Sequence, residues 1–130
     1  MLVALTIQNV VLIEKLDLAF DTGLTVLTGE TGAGKSILLD ALGLALGARA
    51  EAGLVRQGAS QATVTAEFNL PAQHPAQDLL QEQGIDSEGS LILRRQLTSD
   101  GRSRAFVNDQ PVSIGLLRKL GDSLVEIEGQ

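Results

Sequence analysis

Gly29-Glu30-Thr31-Gly32-Ala33-Gly34-Lys35-Ser36 follows the spacing G-x-x-x-x-G-K-[ST]. Glycines so spaced let consecutive backbone N–H groups turn inward and form a concave nest around an anion. A helix that starts at such a loop adds its unpaired amides and the positive end of its dipole. Lys35 brings a flexible point charge to the β- and γ-phosphates of a nucleotide. The Ser36 hydroxyl suits an octahedral Mg²⁺ shell that also takes phosphate oxygens and waters. A shuffled chain of this composition would carry the pattern in roughly 0.4% of cases, so the signal is specific. Phosphoryl transfer needs more: an acidic residue closing an apolar strand, and a group that positions water. No run of four apolar residues here ends in Asp. Glu126 and Glu128 fall on an expected strand over 124–128, where alternation makes them a solvent-facing edge. The residues predict nucleotide binding without a complete hydrolytic site.

The loop needs a buried strand before it and a helix after it, and the pattern supplies both. Residues 24–28 read as a short buried strand. Residues 35–46 read as a helix apolar nearly all round, hence covered on most sides, with Gly47 as its stop. Earlier, Val3, Leu5 and Ile7 alternate with polar or small neighbours, as do Leu16, Leu18 and Phe20, predicting two strands. Val64, Ala66, Phe68 and Leu70 predict another, ended by Pro71, and 75–83 a short helix. Phe20, Phe68 and Phe106 all fall in inward phase, which assigns them to the core. Runs 91–97 and 102–107 flank Ser99-Asp100-Gly101, a strong hairpin signal. Asn108-Asp109 opens another turn. Ser113 is placed to cap a helix through Leu116, Leu117 and Leu120, with Gly121 as its stop. His74, just before Pro75, reads as exposed. The order is mixed α/β, a single domain over 1–130 with a β-rich insertion.

Composition narrows the classes further. The chain has 130 residues, 44% hydrophobic and 20% charged, with a formal charge of −6. That is enough apolar material for one core, and it excludes disorder. The absence of Cys removes disulfides, thiolate metal sites and Cys nucleophiles; one His excludes a multi-His metal site. Three Phe without Trp or Tyr make a poor stacking platform for single strands. Net acidity argues against a wholly phosphate-binding surface. Arg94, Arg95, Arg102 and Arg104 nevertheless gather four of the ten Lys and Arg residues on one hairpin. Two readings stand for them: phosphate contact with DNA, or a solvated strand face with Asp100 as partner. Residues 1–15 lack a basic n-region and carry Glu14 early, and residues 10–13 and 41–48 are too short to span a bilayer. A cytoplasmic address without membrane contact is expected.

Leu5-Thr6-Ile7-Gln8-Asn9-Val10, the Gly-Glu-Thr-Gly-Ala-Gly-Lys-Ser loop and Ile37-Leu38-Leu39-Asp40-Ala41-Leu42-Gly43 resemble the RecN family of bacterial DNA repair proteins. So do Gly47-Ala48-Arg49-Ala50-Glu51, Asp100-Gly101-Arg102-Ser103-Arg104 and the closing Gly129-Gln130. Thr31 stands where structural maintenance of chromosomes (SMC) relatives usually have Asn, which points to the RecN branch. The resemblance implies a P-loop NTPase fold, the N-terminal lobe of an ABC-type ATPase head. It implies ATP and Mg²⁺ as cofactors, with Lys35 and Gln130 in catalysis and Ser36 and Gln130 at the metal. Arg56 would sit near nucleotide and DNA, and Asn9 near the nucleotide. A C-terminal lobe of the same head would supply the missing Walker B carboxylates and signature sequence. A second head would close a homodimer on ATP, in a nucleoid-associated protein acting on double-strand breaks. Two rivals remain at this point: a small P-loop kinase, with the Arg hairpin as its lid, and a non-catalytic nucleotide-binding module.

Overall fold

Alternation of apolar and polar side chains builds one antiparallel sheet, against which the helices pack. The computed structural model describes residues 2–19, 32–50, 52–70, 73–85 and 89–128. In chain order these form β1 (Leu2–Val10), β2 (Ile13–Ala19), α1 (Gly32–Ala45), β3 (Gln61–Asn69), α2 (Ala76–Glu82), β4 (Ser90–Thr98), β5 (Ser103–Val107), β6 (Gln110–Val112) and α3 (Ile114–Glu128). The sheet order is β2-β1-β3-β4-β5-β6, every neighbouring pair antiparallel. Ala62, Val64, Ala66 and Phe68 of β3 and Leu91, Leu93 and Leu97 of β4 point into the core. Thr63, Thr65, Gln96 and Arg94 lie on the opposite face in matched register. α1 packs over β1, β3 and β4, and α3 over β5.

Several expectations hold, and the exceptions have physical causes. In β1 the register shifts between Leu2 and Ala4, so Leu2 and Leu5 are both buried while Val3 falls out of phase. The Ser99-Asp100-Gly101 hairpin forms, with Gly101 at φ 94°. The Asn108-Asp109 turn goes further than expected: φ values of 47° and 68° at its two central residues make a type I′ turn. It leads directly into β6, a strand the sequence reading lacks. The Asn108 carboxamide oxygen accepts from the Ile92 amide at 2.8 Å and ties this turn to β4. Phe106 is corrected. It pairs with Arg94 and Pro111 on the face away from the helices, out of phase with buried Ala105 and Val107. Phe20 and the expected strand over 24–28 lie outside the described residues.

The largest correction concerns the last element. Gly121 does not end a helix and 124–128 is not a strand, because α3 runs through to Glu128. Ser113 does cap it, its hydroxyl accepting the Leu116 amide at 3.0 Å. Leu117, Leu120 and Leu124 then form one buried stripe at helical spacing. Gly121 is small because α3 crosses the end of α1 there, and a β-carbon would run into the Leu46 carbonyl. Glu126 and Glu128 are therefore helical, not a strand edge. α1 ends as expected at Gly47, φ 95°. The Ala48 amide donates to Gly43 O at 2.9 Å and the Gly47 amide to Leu44 O at 3.1 Å, a Schellman closure. Its cover is less complete than expected, since Leu39 is 46% exposed. His74 is also corrected: only 8% exposed, its Nδ1 accepts the Ala76 amide at 3.0 Å and fastens the start of α2.

Candidate nucleotide-binding site

The Gly-rich segment is described from Gly32 onward. Gly32, Ala33, Gly34, Lys35 and Ser36 form the opening of α1, while Gly29, Glu30 and Thr31 lie outside the described residues. The first amides of any helix have no intrahelical acceptor and carry the positive end of its dipole. No acidic residue occupies the first turn of α1 to satisfy them. The helix start is therefore free of competing side-chain charge from its own first turn, a condition an anion site requires.

Arg56 is brought to the end of β1. The chain turns through Ala52–Leu54, Val55 bridges Val10, and the Arg56 amide donates to Asn9 O at 2.7 Å. The Val11 amide donates to Leu54 O at 2.8 Å on the other side of that bridge. Asn9 and Val11 both take positive φ, 58° and 50°. For Val this is a strained conformation, held by the paired backbone. Asn9 and Arg56, separated by more than forty positions in sequence, thus meet at one point. Gln130 lies outside the described residues.

The hairpin arginines do not form one cationic face. Arg94 lies 4.4 Å above the Phe106 ring and pairs with Asp109 at 3.4 Å. Arg102 pairs with Asp100 at 3.2 Å. Arg104 is exposed, with no ion pair among the described residues. Arg95 points the other way, into the core, and is 3% exposed. Its Nε donates to Ser103 Oγ at 2.7 Å, and its Nη1 to Leu44 O at 3.0 Å and Ala48 O at 2.8 Å. From α3, the Arg118 Nε donates to Gly47 O at 3.3 Å. Burial, and then the nearby Arg118 charge, lower the Arg95 pKa from its ordinary value. Position 95 shares the inward phase of Leu91, Leu93 and Leu97, and that parity is the signal by which this residue could have been found.

The family model described as AAA domain matches residues 4–123. DNA repair protein RecN of Halalkalibacterium halodurans is 48% identical over the whole of this chain and 23% of its own length. The Haemophilus influenzae RecN is 47% identical, again over the whole chain and 24% of its own length. The chain therefore spans about a quarter of the curated relatives it matches. Among solved structures, an SMC ATPase chain superposes with a TM-score of 0.73 at 22% identity, covering 94% of this chain and 78% of that one. That structure comes from work on ATP-driven dimerization and DNA-stimulated activation of SMC ATPases. The fold is that of an N-terminal ATPase-head lobe, as expected. The chain belongs to the AAA domain family and, within it, matches the N-terminal segment of the RecN DNA repair proteins.

Proposed function

We propose that this chain is the ATP-binding N-terminal head segment of a RecN-type ATPase acting in double-strand break repair. The observation that carries the reading is the opening of α1 at Gly32, which sets residues 32–36 at a helix N-terminus. In this reading the segment 29–36, with Glu30, Thr31 and Ala33 between its glycines, wraps the triphosphate. Lys35 contacts the β- and γ-phosphates. Ser36 and Gln130 supply a hydroxyl and a carboxamide oxygen to Mg²⁺. Two hard oxygen ligands fit an ion that keeps waters and phosphate oxygens in its shell. Bound Mg²⁺ would neutralise charge developing on the phosphates; Gln130 would orient the attacking water, and Arg56 would approach the nucleotide from the end of β1.

The partners in this reading are the C-terminal lobe of the same head, a second head joined on ATP binding, and DNA. The RecN relatives, about four times longer, have the chain length such parts require. The compartment is the cytoplasm, at the nucleoid. Among the described residues no helix is long and apolar enough to cross a membrane. The likeness to SMC and RecF chains favours an ATPase head over a metabolite kinase.

Titration with Mg·ATP tests the site. Lys35→Ala should weaken binding by about ten- to a hundredfold, the worth of a charge-assisted phosphate contact, while the nucleotide-free melting temperature stays near wild type. Retained affinity with unchanged magnesium dependence would refute the assignment. Phosphate release that depends on a small metabolite acceptor would favour the kinase instead.

A further inference from the structure

The helix that begins at the candidate phosphate site is gripped at its other end by two arginines. Arg95 reaches from β4 to the carbonyls of Leu44 and Ala48 while its Nε is fixed by Ser103 of β5. Arg118 reaches the Gly47 carbonyl from α3. The Schellman bonds already close this helix end, so two guanidiniums exceed what capping requires. The placement of Arg95 is also costly. Arg95 is 3% exposed, no carboxylate pairs with it among the described residues, and Arg118 repels it. The negative end of the α1 dipole and three hydrogen bonds offset that cost.

We infer that Arg95 is a positioning residue for the nucleotide site, fixing α1 from its C-terminal end so that its N-terminal amides stay aimed at the phosphates. The inference rests on the nucleotide reading above. A fourteen-residue helix is about 20 Å long. Pivoting it by about 3° at the far end moves its start by about 1 Å, enough to degrade a preorganised contact set. The planar guanidinium bonds acceptors on two elements at once, which resists both rotation and sliding of α1. A lysine would keep the charge and lose the fork.

The test measures Mg·ATP affinity, melting temperature and amide hydrogen exchange along α1 in the full chain. Wild type is compared with Arg95→Met, Arg95→Lys, Arg118→Met and Phe68→Leu, the last a core change away from the α1 C-terminus. Arg95→Met should bind Mg·ATP about three- to tenfold more weakly, with exchange along α1 that nucleotide no longer slows. Arg95→Lys should fall between, and Phe68→Leu should lose stability while keeping wild-type affinity. If Arg95→Met fails to fold, Arg95→Lys and Arg118→Met carry the comparison. Wild-type affinity in the arginine variants, or an affinity loss in Phe68→Leu proportional to its melting shift, overturns the positioning role. A wild-type chain that does not bind Mg·ATP overturns the nucleotide reading itself, and the inference with it.

Discussion

Asp100 shows how a single exposed side chain holds a turn. Its carboxylate accepts from the Thr98 hydroxyl, and from the Arg102 amide and Nε at 3.4 Å each. The Thr98 hydrogen bond first, and then those from Arg102, hold its pKa below the usual carboxylate value. A carboxyl depressed in the folded state stabilises the fold above its unfolded pKa, and the gain is lost as pH falls through the folded value. Asp100→Asn should therefore melt slightly below wild type at neutral pH, with the two curves converging in acid. Melting profiles of the pair across pH 2–8 check this, and a difference that persists at the acid end would rule out the charge. Arg94 and Arg95 show how one position in sequence separates two functions on a strand. The pleat turns Arg94 to Phe106 and Asp109 and turns Arg95 to the end of α1. Residue type alone grouped the two; the two-residue period divides them.

The elements divide between those that local pattern reveals and those that distant packing decides. β3 and β4 were legible because every second residue is buried, and the α1 stop was legible because glycine accepts φ 95° at Gly47. The end of α3 is not legible at Gly121, since a glycine that admits a neighbouring backbone looks the same in sequence as one that ends a helix. The information that decides between them sits at Leu46, far away in sequence, although Leu124 already continued the stripe of Leu117 and Leu120. His74 was hidden for a similar reason: its ring serves a backbone amide of α2, a bond without periodic signature. Gly121→Ala separates the two explanations. A helix interior gains about 1 kcal/mol from that change when nothing opposes it. Here the added methyl meets backbone that cannot rotate aside, and overpacking of this kind costs about 1–3 kcal/mol or more. The variant should melt roughly 5–10 °C lower. A rise in melting temperature would mean the α1–α3 crossing is looser than described.

At the scale of the molecule, the one sheet and three helices among the described residues form the body that carries the proposed phosphate site. α1 starts at the Gly-rich segment, crosses the sheet, and ends in contact with β4, β5 and α3 through Arg95, Ser103 and Arg118. Binding and hydrolysis make different demands on such a body. Binding asks for aimed amides and a cation, which the proposed site over 29–36 would supply. Hydrolysis asks in addition for an acidic residue at a strand end and for donors arriving from outside the loop. No run of four apolar residues in these 130 closes on Asp, and Glu126 and Glu128 lie on α3 instead of a strand. The two steps should therefore separate experimentally. These 130 residues should bind Mg·ATP yet release phosphate at well under 1 s⁻¹, below ordinary enzyme turnover. Joining them to the remaining three-quarters of a RecN relative should raise the rate at least tenfold without a comparable change in nucleotide affinity. Steady-state phosphate release and equilibrium nucleotide titration on both proteins make the comparison. Turnover at ordinary enzyme rates by the 130 residues alone would show that the acidic and water-positioning groups are already present among them.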